Sequence, residues 1–177
     1  RMNGDVTALI AEIELQETEL VFTSFTNDDA WELGCRVVDL AVVRSLPVTI
    51  DIMRGQQQLF HAAMPGTVAN NDSWVRRKNA TVREFGVSSF LAGLHATVLG
   101  HRFEDAPWID PMRFAGHGGA FPISVAGVGV VGTLTVSGLP QADDHALAVE
   151  AIHGHLRRDD HRFDTAKYPS SDRLSNY

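Results

Sequence analysis

The spacing of apolar and polar positions divides the chain into alternating helical and extended segments. Over residues 5–23, Leu9, Ile10, Ile13 and Leu20 recur at partial helical spacing, with Glu12, Glu14, Glu17 and Glu19 between them. Residues 27–45 predict a second helix. Thr26 or Asn27 caps it, Asp28 and Asp29 suit its positive end, and Ala30, Gly34, Val37, Val38 and Ala41 form one stripe. Pro47 stops it. Val48, Ile50 and Ile52 then alternate with Thr49, Asp51 and Met53, and Gln58 to Ala63 return after the turn Arg54-Gly55-Gln56, which predicts a hairpin over 47–63. Asn71 or Asp72 caps a helix bearing Trp74, Val75, Val82 and Phe85, and Ser88 or Ser89 starts another through Phe90, Leu91, Leu94 and Val98. Residues 100–119 have no clear period. Phe121, Ile123 and Val125, then Val128, Val130, Leu134 and Val136, predict a second hairpin around Gly127. Pro140 opens a last helix with Asp143 and Asp144 in its first turns. Beyond 157 the chain turns polar. The order is helices, hairpin, helices, hairpin, helix. It predicts an α+β domain over 5–157, an antiparallel β-sheet flanked by α-helices, followed by a polar C-terminal tail over 158–177.

Composition narrows the classes. A chain of 177 residues and 19.4 kDa suits one domain and buries about 70% of its unfolded surface. One cysteine, Cys35, excludes an internal disulfide and a cysteine-based zinc cage. It sits on the apolar stripe beside Gly34, which predicts a buried, inert thiol. The net charge of -7 argues against nucleic acid and anionic membranes as partners. No apolar run of about 20 residues is present. With no signal-like leader and a lone thiol, the expected compartment is the cytoplasm.

Candidate chemistry lies in three segments. His117 sits in Gly116-His117-Gly118-Gly119 ahead of a strand, where glycines let backbone and ligand approach and an imidazole can donate, accept or ligate. Ser137-Gly138-Leu139-Pro140 runs from a strand into a helix N-terminus, whose free N–H groups favour an anion. Asp143 and Asp144 would compete for those N–H groups. In the third segment, Trp74 with Arg76, Arg77, Lys78 and Arg83 forms the densest basic cluster, either a clamp for an acidic ligand or a solvated helix face. Gly127-Val128-Gly129-Val130-Val131-Gly132 matches a dinucleotide-binding pattern literally, but on a turn and strand rather than at a helix entry. No histidine spacing makes a dedicated metal site, and no catalytic set can be assigned.

Several runs resemble a known family. They are Trp31-Glu32-Leu33-Gly34, Pro47 to Ile52, Gly55 to Ala63, Asn71 to Lys78, His117 to Ile123 and Gly132 to Pro140 with Asp143-Asp144-His145. Together they resemble an uncharacterised branch of the haem-degrading-domain superfamily, with its GlcG-like proteins, HbpS-like proteins and PduO C-terminal domains. The resemblance implies a three-layer α+β fold and a symmetric homo-oligomer, at least a dimer. Some relatives bind haem, so haem or a related tetrapyrrole becomes a candidate cofactor.

Two functions follow as expectations. The first is an oligomeric protein with a small-molecule pocket formed by His117, Gly118, Gly119, Ser137 and Gly138, with Arg76, Arg77 or Arg83 as countercharge. His117 would be an axial ligand or polar anchor, and Gly138→Val would abolish binding in a chain that still folds. The alternative is a structural or protein-interaction module. At least one of Trp31, Trp74 and Trp108 is expected in a subunit interface.

Overall fold

In a computed structural model of the chain, residues 2–157 are described. The expected tail over 158–177 lies outside them. The elements are α1 (Met2–Glu19), β1 (Val21–Phe22), α2 (Asn27–Arg44), β2 (Thr49–Arg54), β3 (Gln57–Ala63), α3 (Ala69–Phe85), α4 (Ser89–Val98), a 3-10 turn (Phe103–Asp105), β4 (Ala120–Val125), β5 (Gly129–Ser137) and α5 (Gln141–Arg157). Both predicted hairpins form. The irregular stretch 100–119 holds only the 3-10 turn, and Gly127 to Gly132 lie in a turn and strand as their spacing implied.

The five strands form one sheet in the order β1-β4-β5-β2-β3. All pairs are antiparallel except β1, which runs parallel to β4 through Val21 opposite Ser124 and Phe22 opposite Val125. This corrects the expectation of a helix through residue 23; the sheet is mostly antiparallel, as expected, with one parallel edge strand. Two residues carry no measurable period, so β1 is recruited by the β4 edge rather than by its own pattern.

Local chemistry sets the helix ends. Thr26 Oγ1 accepts from Asp29 N, and Asp29 Oδ2 accepts from Thr26 N at 2.6 Å, a reciprocal cap for α2. Asn71 does not begin α3. Its Oδ1 accepts from Val68 N at 2.9 Å, so the helix starts at Ala69.

Strand alternation sorts the sheet into two faces. Ile50, Ile52, Phe121, Ile123, Leu134 and Val136 point to one side and build the main core with Leu33 and Val37 of α2 and Leu147 and Ile152 of α5. Thr49, Asp51, Thr133, Thr135 and Ser137 point to the other side and are equally buried, beneath α3. The layers are therefore α2 and α5, sheet, then α3. A third group, Ile13, Phe90 and Leu91, joins α1 to α4.

Candidate functional site

The inward face of α3 follows from helical spacing. Val75, Lys78, Asn79 and Val82 lie three, four and seven residues apart and share the side turned to the sheet. Asn79 Nδ2 donates to Asp51 Oδ2 at 2.8 Å, and the hydroxyls of Thr133 and Thr135 donate to Asn79 Oδ1. Gln58 Nε2 donates to Asp51 Oδ1 at 2.5 Å. Asp51 is buried, and desolvation outweighs these donors, pushing its pKa above the usual carboxylate range.

One residue earlier on α3, Lys78 reaches the end of the sheet. It is 3% exposed. Its Nζ donates to Val136 O at 3.1 Å and to Asp144 Oδ2 at 3.0 Å. Asp144, on α5, is buried as well and accepts from Leu139 N at 2.9 Å through Oδ1 and from Gly138 N at 3.3 Å through Oδ2. Burial lowers the Lys78 pKa and raises that of Asp144, each against the pull of its partner.

A cavity of about 280 Å³ opens beside this pair. Its lining includes Asn71, Trp74, Lys78, His117, Ser137 and Asp144. An ammonium has three donors, and Lys78 uses two of them on the described residues. The Ser137 hydroxyl, on a residue only 4% exposed, makes no hydrogen bond among the described residues. Trp74 meets His117 edge-on at 5.0 Å, and the Arg77 guanidinium lies 4.0 Å from the Trp74 ring centre. His117 Nε2 is 3.3 Å from Glu104 Oε1. Desolvation lowers the His117 pKa despite Glu104, so the ring favours its neutral form.

The structure places His117, Gly118, Ser137 and Gly138 along one cavity, while Gly119 is not among its lining residues. A side chain at Gly119 would meet Lys78 Nζ at 2.6 Å and Val136 O at 2.2 Å. That glycine makes room for the lysine. Two expectations are corrected. The N–H groups of Gly138 and Leu139 are taken by Asp144, not offered to an external anion. Arg76 and Arg77 do not line the cavity: Arg76 donates to Ser73 and Arg77 stacks on Trp74. The buried cation is Lys78, from a cluster that also fitted a solvated face. Val75 and Val82, seven apart, were the signal that residue 78 faces inward. Gly138 is required by the fold itself, because a Cβ there would lie 2.1 Å from Pro47 O. Gly138→Val is therefore a folding mutation and cannot isolate binding. Glu104 and Asp144 escaped the sequence as partners, since neither spacing nor periodicity joins them to His117 and Lys78.

Comparison with known proteins gives a consistent set of matches. A family described as haem degrading protein HbpS-like matches residues 25–153. A UPF0303 protein of Streptomyces coelicolor is 54% identical over 143 residues, covering 81% of this chain and 90% of that protein. A UPF0303 protein of Paraburkholderia xenovorans is 40% identical over 163 residues, covering 92% and 99%. Among solved structures, the Ybr137w protein aligns with a TM-score of 0.78 at 31% identity, covering 85% of this chain and 89% of that one. A complex of PduOC with heme aligns with a TM-score of 0.62 at 19% identity, covering 75% and 94%, a likeness of fold.

Proposed function

The chain belongs to the family described as haem degrading protein HbpS-like, and within it we propose that the cavity beside Lys78 binds a compact polar molecule. The observation that carries this is a buried ammonium with a donor to spare among the described residues, on a residue that lines a cavity with Ser137 and Trp74. Burying such a lysine is costly unless its hydrogens find acceptors. A ligand oxygen would complete it, and the indole would cover the ligand's apolar side.

Haem is the group the family implies, and the residues here do not fit it inside one chain. His117 supplies an imidazole, but its Nε2 faces Glu104. At about 280 Å³ the cavity lies at the lower end of small-molecule pockets, smaller than a four-pyrrole macrocycle needs. The expected ligand is correspondingly small.

A thermal-shift and NMR screen of small polar metabolites tests this reading. We expect a saturable ligand whose binding is lost in Trp74→Ala and Lys78→Met and unchanged in Arg76→Ala, whose side chain lies off the cavity. If no compact molecule binds, the structural or interaction module is favoured instead. A saturable Soret shift at micromolar haem that disappears in His117→Ala would overturn the size argument.

Assembly into at least a dimer is the second part of the proposal. Trp31 and Trp108 are 46% and 75% exposed, which favours an interface. A light-scattering mass near 19.4 kDa at micromolar concentration would reject it.

A further inference from the structure

We propose that Lys78 is a reactive amine that condenses with the carbonyl carbon of a short aldehyde or ketone held in the Trp74 cavity, forming a reversible imine. This rests on the binding reading above and names the substrate class of that site.

The choice of lysine is the first observation. Of the 15 basic residues, two are lysine, Lys78 and Lys167. Arginine is the usual residue for a buried ion pair with a carboxylate, because its planar fork binds both oxygens. Lysine is the residue whose amine can lose its proton and attack. In a chain that uses arginine nearly everywhere else, the buried position carries the side chain able to become a nucleophile.

Geometry is the second observation. Lys78 Nζ is held by Val136 O and Asp144 Oδ2, and the residue lines the cavity. Gly119 leaves the space that Nζ fills. Asp144 is anchored by two backbone N–H groups, so it is a fixed proton acceptor beside the amine. Burial moves both groups toward neutrality, which lowers the cost of passing the proton from one to the other. Ser137 can donate to a second oxygen of the substrate, and His117, backed by Glu104, lies on the cavity wall as a proton carrier.

The step balances without an oxidant or reductant. Lys78 gives one proton to Asp144. The freed nitrogen pair bonds to the carbonyl carbon while the C=O π pair moves to oxygen, which takes up a proton and gives a carbinolamine. The C–O bond then breaks, and oxygen leaves as water with the two hydrogens of the neutral amine. A C=N bond remains. Hydrolysis reverses each step.

The test is borohydride trapping on the full chain, with glycolaldehyde and pyruvate as separate probes and peptide mapping as the readout. Lys167 serves as the internal reference. We expect saturable labelling of Lys78 by at least one probe, at least about tenfold faster than that of Lys167, as an activated amine requires. Lys78→Met, with its fold checked by near-ultraviolet circular dichroism, should lose that adduct. If it does not fold, the mapping of the native chain decides alone. Labelling of Lys78 no faster than Lys167 with both probes overturns the proposal. Compact ligands that bind in the screen above while no adduct is trapped would overturn the imine and leave the binding reading standing.

Discussion

The two faces of the sheet are buried alike and built from opposite chemistry. Toward α2 and α5 the strands present Ile50, Ile52, Phe121, Ile123, Leu134 and Val136, each fully buried. Toward α3 they present Thr49, Asp51, Thr133, Thr135 and Ser137, all less than 5% exposed. The first face is stabilised by area removed from water, at about 25 cal/mol per Å². The second depends on pairing, because each buried hydroxyl or carboxylate costs free energy unless it is hydrogen-bonded. The difference teaches where function can reside. An apolar face tolerates no vacancy. A polar face that ends in the Lys78–Asp144 pair leaves donors which a ligand can satisfy, and the cavity opens there.

Asp144→Ala should break the comparison most severely. It strands a buried ammonium and releases the N–H groups of Gly138 and Leu139, so a loss of about 3–5 kcal/mol is expected. Urea unfolding measures it. A loss under about 1 kcal/mol would mean that water reaches the pair freely.

A matched pair on β5 sharpens the contrast. Leu134→Ala, on the apolar face, should cost about 2–5 kcal/mol through lost burial and a cavity. Thr135→Val, on the polar face, removes a hydroxyl but leaves Asn79 Oδ1 its bond from Thr133, so about 1 kcal/mol is expected. Equal losses in chemical denaturation would erase the distinction between the faces.

Acid provides a graded probe from the α5 side. His145 is buried between Phe90 and Phe121. Its Nε2 donates to Gln16 Oε1 at 2.9 Å, and its Nδ1 is buried without a partner among the described residues. Burial pushes its pKa down to about 4. The unfolded chain therefore takes up the proton first. The contribution is intact above the ordinary histidine pKa of about 6.5 and is lost as pH falls from there toward about 4, by at most about 3 kcal/mol. Unfolding midpoints between pH 7.5 and 4.5 should fall accordingly, and His145→Phe should flatten that part of the profile. An unchanged slope in the variant would assign the acid sensitivity to other groups.

Cys35 adds little to either face. It is half-buried, and burial raises its thiol pKa, which fits the inert role its position on the α2 stripe predicts.

The chain by itself determined the five helices and the two hairpins, because periods of two and 3.6 and the prolines that end them are local properties. It also marked Gly116-His117-Gly118-Gly119 and Ser137-Gly138 as unusual, since runs of glycine stand out against any periodic background. Tertiary structure decided the rest. The parallel pairing of β1 needs the β4 edge, which lies about a hundred residues away in sequence. The reason for Gly138 is Pro47 O, and the reason for Gly119 is Lys78 Nζ, neither of which is adjacent in the chain. Arg76, Arg77 and Lys78 look alike as a charge run, yet a helix turns each successive residue by about 100°, so only Lys78 faces the sheet. Its partner Asp144 is 66 residues away and looks in sequence like an ordinary helix-start acid. Charge is legible one residue at a time, but desolvation and pairing exist only once the layers have closed around them.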